Sequence, residues 1–111
     1  MFYIENNRIA IVHKKDNNYH INIHDIKEDK SCIIECIILK NKPDAIVSFG
    51  NNYIAVLARF EISIYDIYGY YIMTIYNENE EVMYLININN NTSIIINSNY
   101  NIYLHEHQLK Y

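Results

Sequence analysis

Short apolar stretches alternate with polar breaks along the entire chain. The breaks are rich in Asn, Asp, Lys and Glu, and they recur every few residues. Apolar runs of this length, bounded by turn residues, are typical of an antiparallel all-β meander. The pattern predicts about eleven short strands, near residues 2–5, 8–13, 19–25, 32–39, 45–49, 53–58, 62–67, 71–76, 82–88, 93–97 and 101–106.

Helical periodicity is weak throughout the chain. Its best instance is residues 30–39, where a high β-branched content nevertheless favours a strand. The chain contains only two glycines and one proline. We therefore expect asparagine to provide most of the turn chemistry, including backbone positions in the left-handed region. A length of 111 residues predicts a single all-β domain over residues 1–111.

Internal repetition is the most informative feature of the sequence. Residues 21–26 (INIHDI) are similar to residues 62–67 (ISIYDI) and 102–107 (IYLHEH), at offsets of 41 and 40 residues. The preceding strand also repeats, as residues 6–12 (NNRIAIV), 51–57 (NNYIAVL) and 91–96 (NTSIII). A period of about 40 residues with four short strands is the signature of a propeller blade. It predicts repeats near residues 1–40, 41–80 and 81–111.

The repeated segments resemble the WD-repeat β-propeller family over nearly the whole chain. Residues 46–57 look like that family's first two strands and their hairpin, and residues 62–66 look like its third strand. The chain departs from the family's pattern in having no Trp and no Gly-His dipeptide, the dipeptide on which the family's usual His–Asp hydrogen-bond network depends. The place of the family's Trp-Asp pair is taken by Tyr65-Asp66, and its equivalents are His24-Asp25 and His105-Glu106.

The strand count implies an incomplete propeller. Eleven strands make two full blades and three strands of a third, whereas propellers close with about four to eight blades. Such a fragment would expose an unpaired sheet edge. We therefore expect either self-association of two copies, as a homodimer, into a six-bladed ring or a protein partner that covers the open β edge. A compact β-sandwich or barrel is the alternative fold.

Composition and charge limit the classes of function. Half of the residues are hydrophobic and 20% are charged, which argues against disorder. A net charge of −4 argues against a nucleic-acid module with a broad basic surface. The first twelve residues lack the unbroken apolar run of a signal peptide, and no run approaches a membrane span. The expectation is a cytoplasmic protein with no membrane association.

The polar residues form no recognisable catalytic or metal-binding motif. His20 and His24 share a strand face but have no Cys or carboxylate at a ligand spacing. Cys32 and Cys36 are the two cysteines of the chain, and no second cysteine pair exists to complete a zinc site. Their burial as small apolar side chains is the simplest interpretation. We therefore expect no catalytic, metal or cofactor site, no small-molecule substrate and no enzymatic activity.

Tyrosines and lysines are the remaining candidate binding residues. Exposed Tyr is enriched at protein interfaces because it combines rigid apolar area with a polar tip. The leading hypothesis is a non-catalytic protein–protein interaction module or scaffold subunit; the alternative is a small accessory factor of a ribonucleoprotein such as a ribosome. Predicted partner-binding residues are Tyr65, Tyr68, Tyr70, Tyr71 and Tyr103, and the alternative assigns phosphate contacts to Lys14, Lys15, Lys27, Lys30, Lys40 and Lys42.

Overall fold

Eleven short strands account for most of the chain. The computed structural model describes residues 2–4, 8–25, 33–50, 52–66, 68–89 and 91–106, and this part contains no helix. The prediction of an all-β chain is confirmed. The strands are β1 (Phe2–Ile4), β2 (Arg8–Lys15), β3 (Asn18–Asp25), β4 (Ile33–Leu39), β5 (Ala45–Ser48), β6 (Tyr53–Ala58), β7 (Glu61–Asp66), β8 (Tyr71–Asn77), β9 (Val82–Asn89), β10 (Thr92–Asn97) and β11 (Ile102–Glu106).

The strands form three antiparallel sheets in chain order. Within the described residues, the first sheet is β1-β2-β3-β4, the second is β5-β6-β7-β8, and the third is β9-β10-β11. Every pairing joins strands that are consecutive in sequence, so the predicted meander is confirmed. None of the three described sheets closes into a barrel.

The hairpin between β2 and β3 turns on two residues in the left-handed region. Lys15 pairs with Asn18, which leaves Asp16 and Asn17 as a two-residue loop. Their φ angles are 52° and 66°. Two successive positive φ angles define a type I′ turn, whose twist matches that of the flanking strands. Asp and Asn tolerate this conformation better than other non-glycine residues.

The second sheet is apolar on both faces because alternate residues of β6 point in opposite directions. Ile54 and Val56 belong to a core shared with the first sheet, whereas Ala55 and Leu57 belong to a core shared with the third. All four side chains are buried. The three sheets are therefore stacked face to face, with the second in the middle.

Each core contains side chains from two adjacent sheets. The first core joins Ala10, Ile21, Ile23 and Ile37 of the first sheet to Ile46, Ile54 and Val56 of the second. The second core joins Phe49, Ala55, Leu57, Ile62, Ile64 and Tyr76 of the second sheet and its loops to Ile95 of the third.

Polar contacts also link the second and third sheets. The Asn87 side-chain amide donates to the Ser48 backbone oxygen at 2.9 Å. The Asn87 side-chain oxygen accepts from the Ser93 hydroxyl at 2.7 Å. Ser93 is fully buried, so this chain of bonds satisfies a hydroxyl that burial would otherwise penalise.

The type I′ turn provides a test of the left-handed positions. Asn17→Val should lower the free energy of unfolding by about 1–2 kcal/mol, because a β-branched side chain is strained at positive φ. Asn17→Gly should be neutral or stabilising, since glycine is preferred at this place in such turns. Urea denaturation of both variants measures the difference. Equal stability of the two variants would contradict the positive φ at this residue.

Candidate interaction surfaces

An exposed apolar face covers one side of the third sheet. Seven side chains alternate onto this side from its three strands, and Ile102 and Leu104 are 69% and 64% exposed. We call this the third-sheet outer face. It consists of Tyr84, Ile86 and Ile88 from β9, Ile94 and Ile96 from β10, and Ile102 and Leu104 from β11.

The pairing register aligns these side chains into rows across the sheet. Ile94 lies between Ile86 and Leu104, because it pairs with both. Ile96 likewise pairs with Tyr84 on one side and Ile102 on the other. Directly opposite residues in antiparallel strands carry side chains on the same face. The rows therefore form one continuous patch. Tyr84, Ile86, Ile102 and Leu104 in these rows are each about half exposed or more, and a contiguous exposed apolar patch of this kind is typical of an interaction site.

The opposite side of the third sheet packs against the second sheet. Ser93, Ile95 and Asn97 of β10 are buried there. Tyr103 contacts Tyr76 edge to face, with ring centroids 5.8 Å apart. Burial raises the pKa of Tyr76. The third sheet is thus covered on one face, while its other face is apolar and exposed.

Asn97 holds the loop between β10 and β11 from a fully buried position. Its side-chain oxygen accepts from the backbone amides of Asn99 and Asn101, both at 3.0 Å. Tyr100 in this loop has a φ of 62°, which an Asn-anchored turn stabilises. Asn97 therefore orients the start of β11, the strand that carries Ile102 and Leu104.

Four of the five predicted partner-binding tyrosines lie together at the hairpin between β7 and β8. Tyr68, Tyr70 and Tyr71 are exposed. The backbone amides of Tyr68 and Tyr70 both donate to one side-chain oxygen of Asp66, at 2.9 and 3.0 Å. Asp66 therefore caps the turn at the end of β7 and fixes the backbone that presents these tyrosines.

Tyr65 and Tyr103 differ from the other predicted tyrosines by the inward contacts of their rings, although Tyr103 is still 39% exposed. Tyr65 packs against the first core and meets Tyr71 edge to face at 5.8 Å. Burial is the main cause of its raised pKa, followed by Glu61 and Tyr71. Tyr103 lies in the third sheet, against Tyr76. The four tyrosines at the hairpin and Tyr103 therefore lie in different sheets. The role of all five in binding stays a prediction.

The described lysines of the alternative hypothesis lie at one end of the first sheet. Lys14 pairs with Tyr19, which pairs with Leu39, the residue before Lys40. Lys14, Lys15, Lys40 and Lys42 are all exposed. Lys42 and Arg59 line a groove of about 500 Å³, but so do Asp44 and Glu61. Lys27 and Lys30 lie outside the described residues.

The first sheet has an exposed outer face of mixed character. Ile11 and Ile38 are exposed there, and Ile9 is half-buried. His13, His20, Asn22 and His24 on this side are polar, and His13 stacks on its cross-strand partner His20 at 5.3 Å. We call this the first-sheet outer face.

The described residues hold neither a metal cluster nor a membrane-spanning helix. Among them, no three His, Cys, Asp or Glu side chains cluster as a metal site would require. Cys32 and the side chain of Cys36 lie outside the description. No helix in the described chain has the length and apolar character needed to cross a bilayer.

Sequence reasoning missed the third-sheet outer face. The available signal was the run Ile94-Ile95-Ile96, which puts apolar side chains on both faces of a strand. A strand with this pattern normally has both of its faces covered. Here Ile95 is covered by the second sheet, while Ile94 and Ile96 face outward. Comparison with protein-family models, with curated proteins and with solved structures gives no match.

Asn97 provides a test of the loop that orients β11. Asn97→Ala should lower the free energy of unfolding by about 1–3 kcal/mol, because two backbone amides lose their acceptor in a buried setting. Asn99→Ala is the matched control in the same loop, since Asn99 is exposed and contributes its backbone amide. Thermal and urea denaturation compare the two variants. An equal loss of stability in both would contradict the anchoring role of the Asn97 side chain.

Proposed function

We propose that this chain is a non-catalytic protein–protein interaction module, or small scaffold subunit, built as a partial β-propeller. The third-sheet outer face is the observation that carries the proposal. Ile102 and Leu104 are largely exposed on a continuous apolar surface, and covering such a surface releases its hydration water. A protein partner with a complementary apolar face is the chemistry that fits.

The number of strands in each sheet supports the propeller interpretation. The first two sheets have four strands each, and the third has three. β3 and β7 each have two neighbouring strands, whereas β11 has one within the described part of the chain. An edge strand next to an apolar face offers both backbone pairing and side-chain burial. The proposed mechanism of binding combines these two contacts.

Equivalent cross-strand positions also support a repeated unit. His24 pairs with Ile9, Tyr65 with Ile54, and His105 with Ser93. These three residues occupy the same position in β3, β7 and β11, which are the third strands of their sheets in chain order. Ala55 of β6 pairs with Ile64, and Ile94 of β10 pairs with Leu104. Because Ile64 and Leu104 are equivalent, Ala55 and Ile94 are equivalent as well, at an offset of 39 residues. The sequence alignment of residues 51–57 with 91–96 has an offset of 40, which would make residues on opposite faces of the sheet equivalent to each other.

Charge substitutions on the third-sheet outer face test the proposed function. Ile86→Lys and Leu104→Lys should each leave the fold intact, since both side chains point outward, but should weaken association at least about 30-fold. Quantitative recovery of bound proteins from a source extract, together with the chain's own solution mass, measures association. Circular dichroism verifies folding of each variant.

Tyr70→Lys tests the competing surface, because Tyr70 is 67% exposed at the hairpin between β7 and β8. It should retain the association that the other two variants lose. If it is the variant that loses binding, the tyrosine hairpin and not the third sheet is the docking surface. Unchanged association, with itself and with every other protein, in both face variants would refute the proposed function.

A second candidate function is that of a small ribonucleoprotein accessory factor. Its specific support is the group of four exposed lysines at one end of the first sheet. RNA binding through phosphate contacts should weaken steeply with salt, and Lys14→Gln or Lys42→Gln should each reduce the slope by about 1. Titration of a structured RNA at several salt concentrations measures it. A flat salt dependence would exclude this function.

A further inference from the structure

The three sheets present an equivalent group of four apolar side chains on the same face. Each group consists of two cross-strand pairs from neighbouring strands, and the two pairs are successive on that face. The groups are Ala10–Ile23 with Val12–Ile21, Ala55–Ile64 with Leu57–Ile62, and Ile94–Leu104 with Ile96–Ile102.

The first two groups are covered and the third is not. In the first sheet, Ile21 and Ile23 are fully buried beneath the second sheet. In the second sheet, Ile62 and Ile64 are fully buried beneath the third. Their equivalents Ile102 and Leu104 are exposed on the third-sheet outer face. A neighbouring sheet therefore covers this apolar group in the first and second sheets, while the equivalent group of the third sheet is exposed.

The opposite end of the molecule carries the complementary kind of surface. Ile54 and Val56 are the residues of β6 through which the second sheet covers the first. By pairing register, their equivalents in the first sheet are Ile9 and Ile11. These two lie on the first-sheet outer face, where no described sheet covers them. One chain thus exposes both halves of an interface that it twice forms internally.

We propose that the third-sheet outer face binds the first-sheet outer face of a second copy, so that two copies join head to tail. This inference rests on the proposed function and names the partner of that surface. The occupant is a second copy because its first sheet continues the stacking already present between the three sheets. Each contact would repeat the packing seen between the first and second sheets.

Geometry limits the number of copies. Head-to-tail contacts form a ring when their rotation closes and a filament when it does not. Two copies supply six sheets, which lies within the usual range of about four to eight blades, whereas three copies supply nine. A closed dimer leaves neither outer face exposed and contains two identical contacts.

Variants at the two ends of the chain test this arrangement. The full chain should have a mass of twice 13.3 kDa across a micromolar concentration series by sedimentation equilibrium. Leu104→Lys in the third-sheet outer face and Ile11→Lys in the first-sheet outer face should each weaken dimerisation at least about 30-fold. Tyr100→Lys is the matched control, because Tyr100 is exposed in a loop outside both faces.

A milder substitution guards against misfolding. Ile102→Thr keeps the β-branched shape of a strand residue and should weaken the dimer while the unfolding transition stays cooperative. If Leu104→Lys unfolds, this variant still measures the contribution of the face to association.

Several outcomes would overturn the inference in distinguishable ways. A dimer that loses association with Leu104→Lys but keeps it with Ile11→Lys would indicate two third-sheet faces packed against each other. A monomer that binds a different protein through the third-sheet outer face would retain the proposed function and refute self-assembly. A monomer whose variants change no association would refute both. An open series of larger species would refute ring closure.

Discussion

Burial of both faces of the second sheet is the constraint on which the rest of the structure depends. A strand with apolar residues at every position cannot lie with either face in water without a large loss of hydrophobic stabilisation. β6 has this character, since Ile54, Ala55, Val56 and Leu57 are all buried. Covering both faces requires one sheet on each side, and the two cores provide this. The stacking order of the three sheets follows directly.

Polar groups inside this stack serve to position neighbouring segments. Ser93 and Asn97 are fully buried, yet both make hydrogen bonds to side chains or backbone amides. Asn97 fixes the loop before β11, and Asn87 links β9 to the second sheet. The chain has only two glycines, so asparagine side chains take over much of the ordering of its tight turns. Asparagine thus provides both turn conformation and cross-sheet contacts.

Much of the fold could be predicted from alternation and turn residues alone. Each of the eleven predicted strands is present, and residues 33–39 form a strand as their β-branched content favours. Asn17 at positive φ matches the expected role of asparagine in turns. The candidate surface could not be predicted in the same way. Apolar alternation identifies which side chains share a face, but an isoleucine such as Ile94 has the same local pattern whether its face is covered or open.

The sequence by itself determined the strands, their consecutive antiparallel pairing and the turns between them, because these depend on local periodicity and backbone preference. Only the tertiary structure decided which faces meet. Ile62 and Ile102 occupy equivalent positions in similar segments, yet one is fully buried and the other is exposed. Their difference arises from the presence or absence of a neighbouring sheet. Burial is a property of long-range packing, which no local pattern specifies.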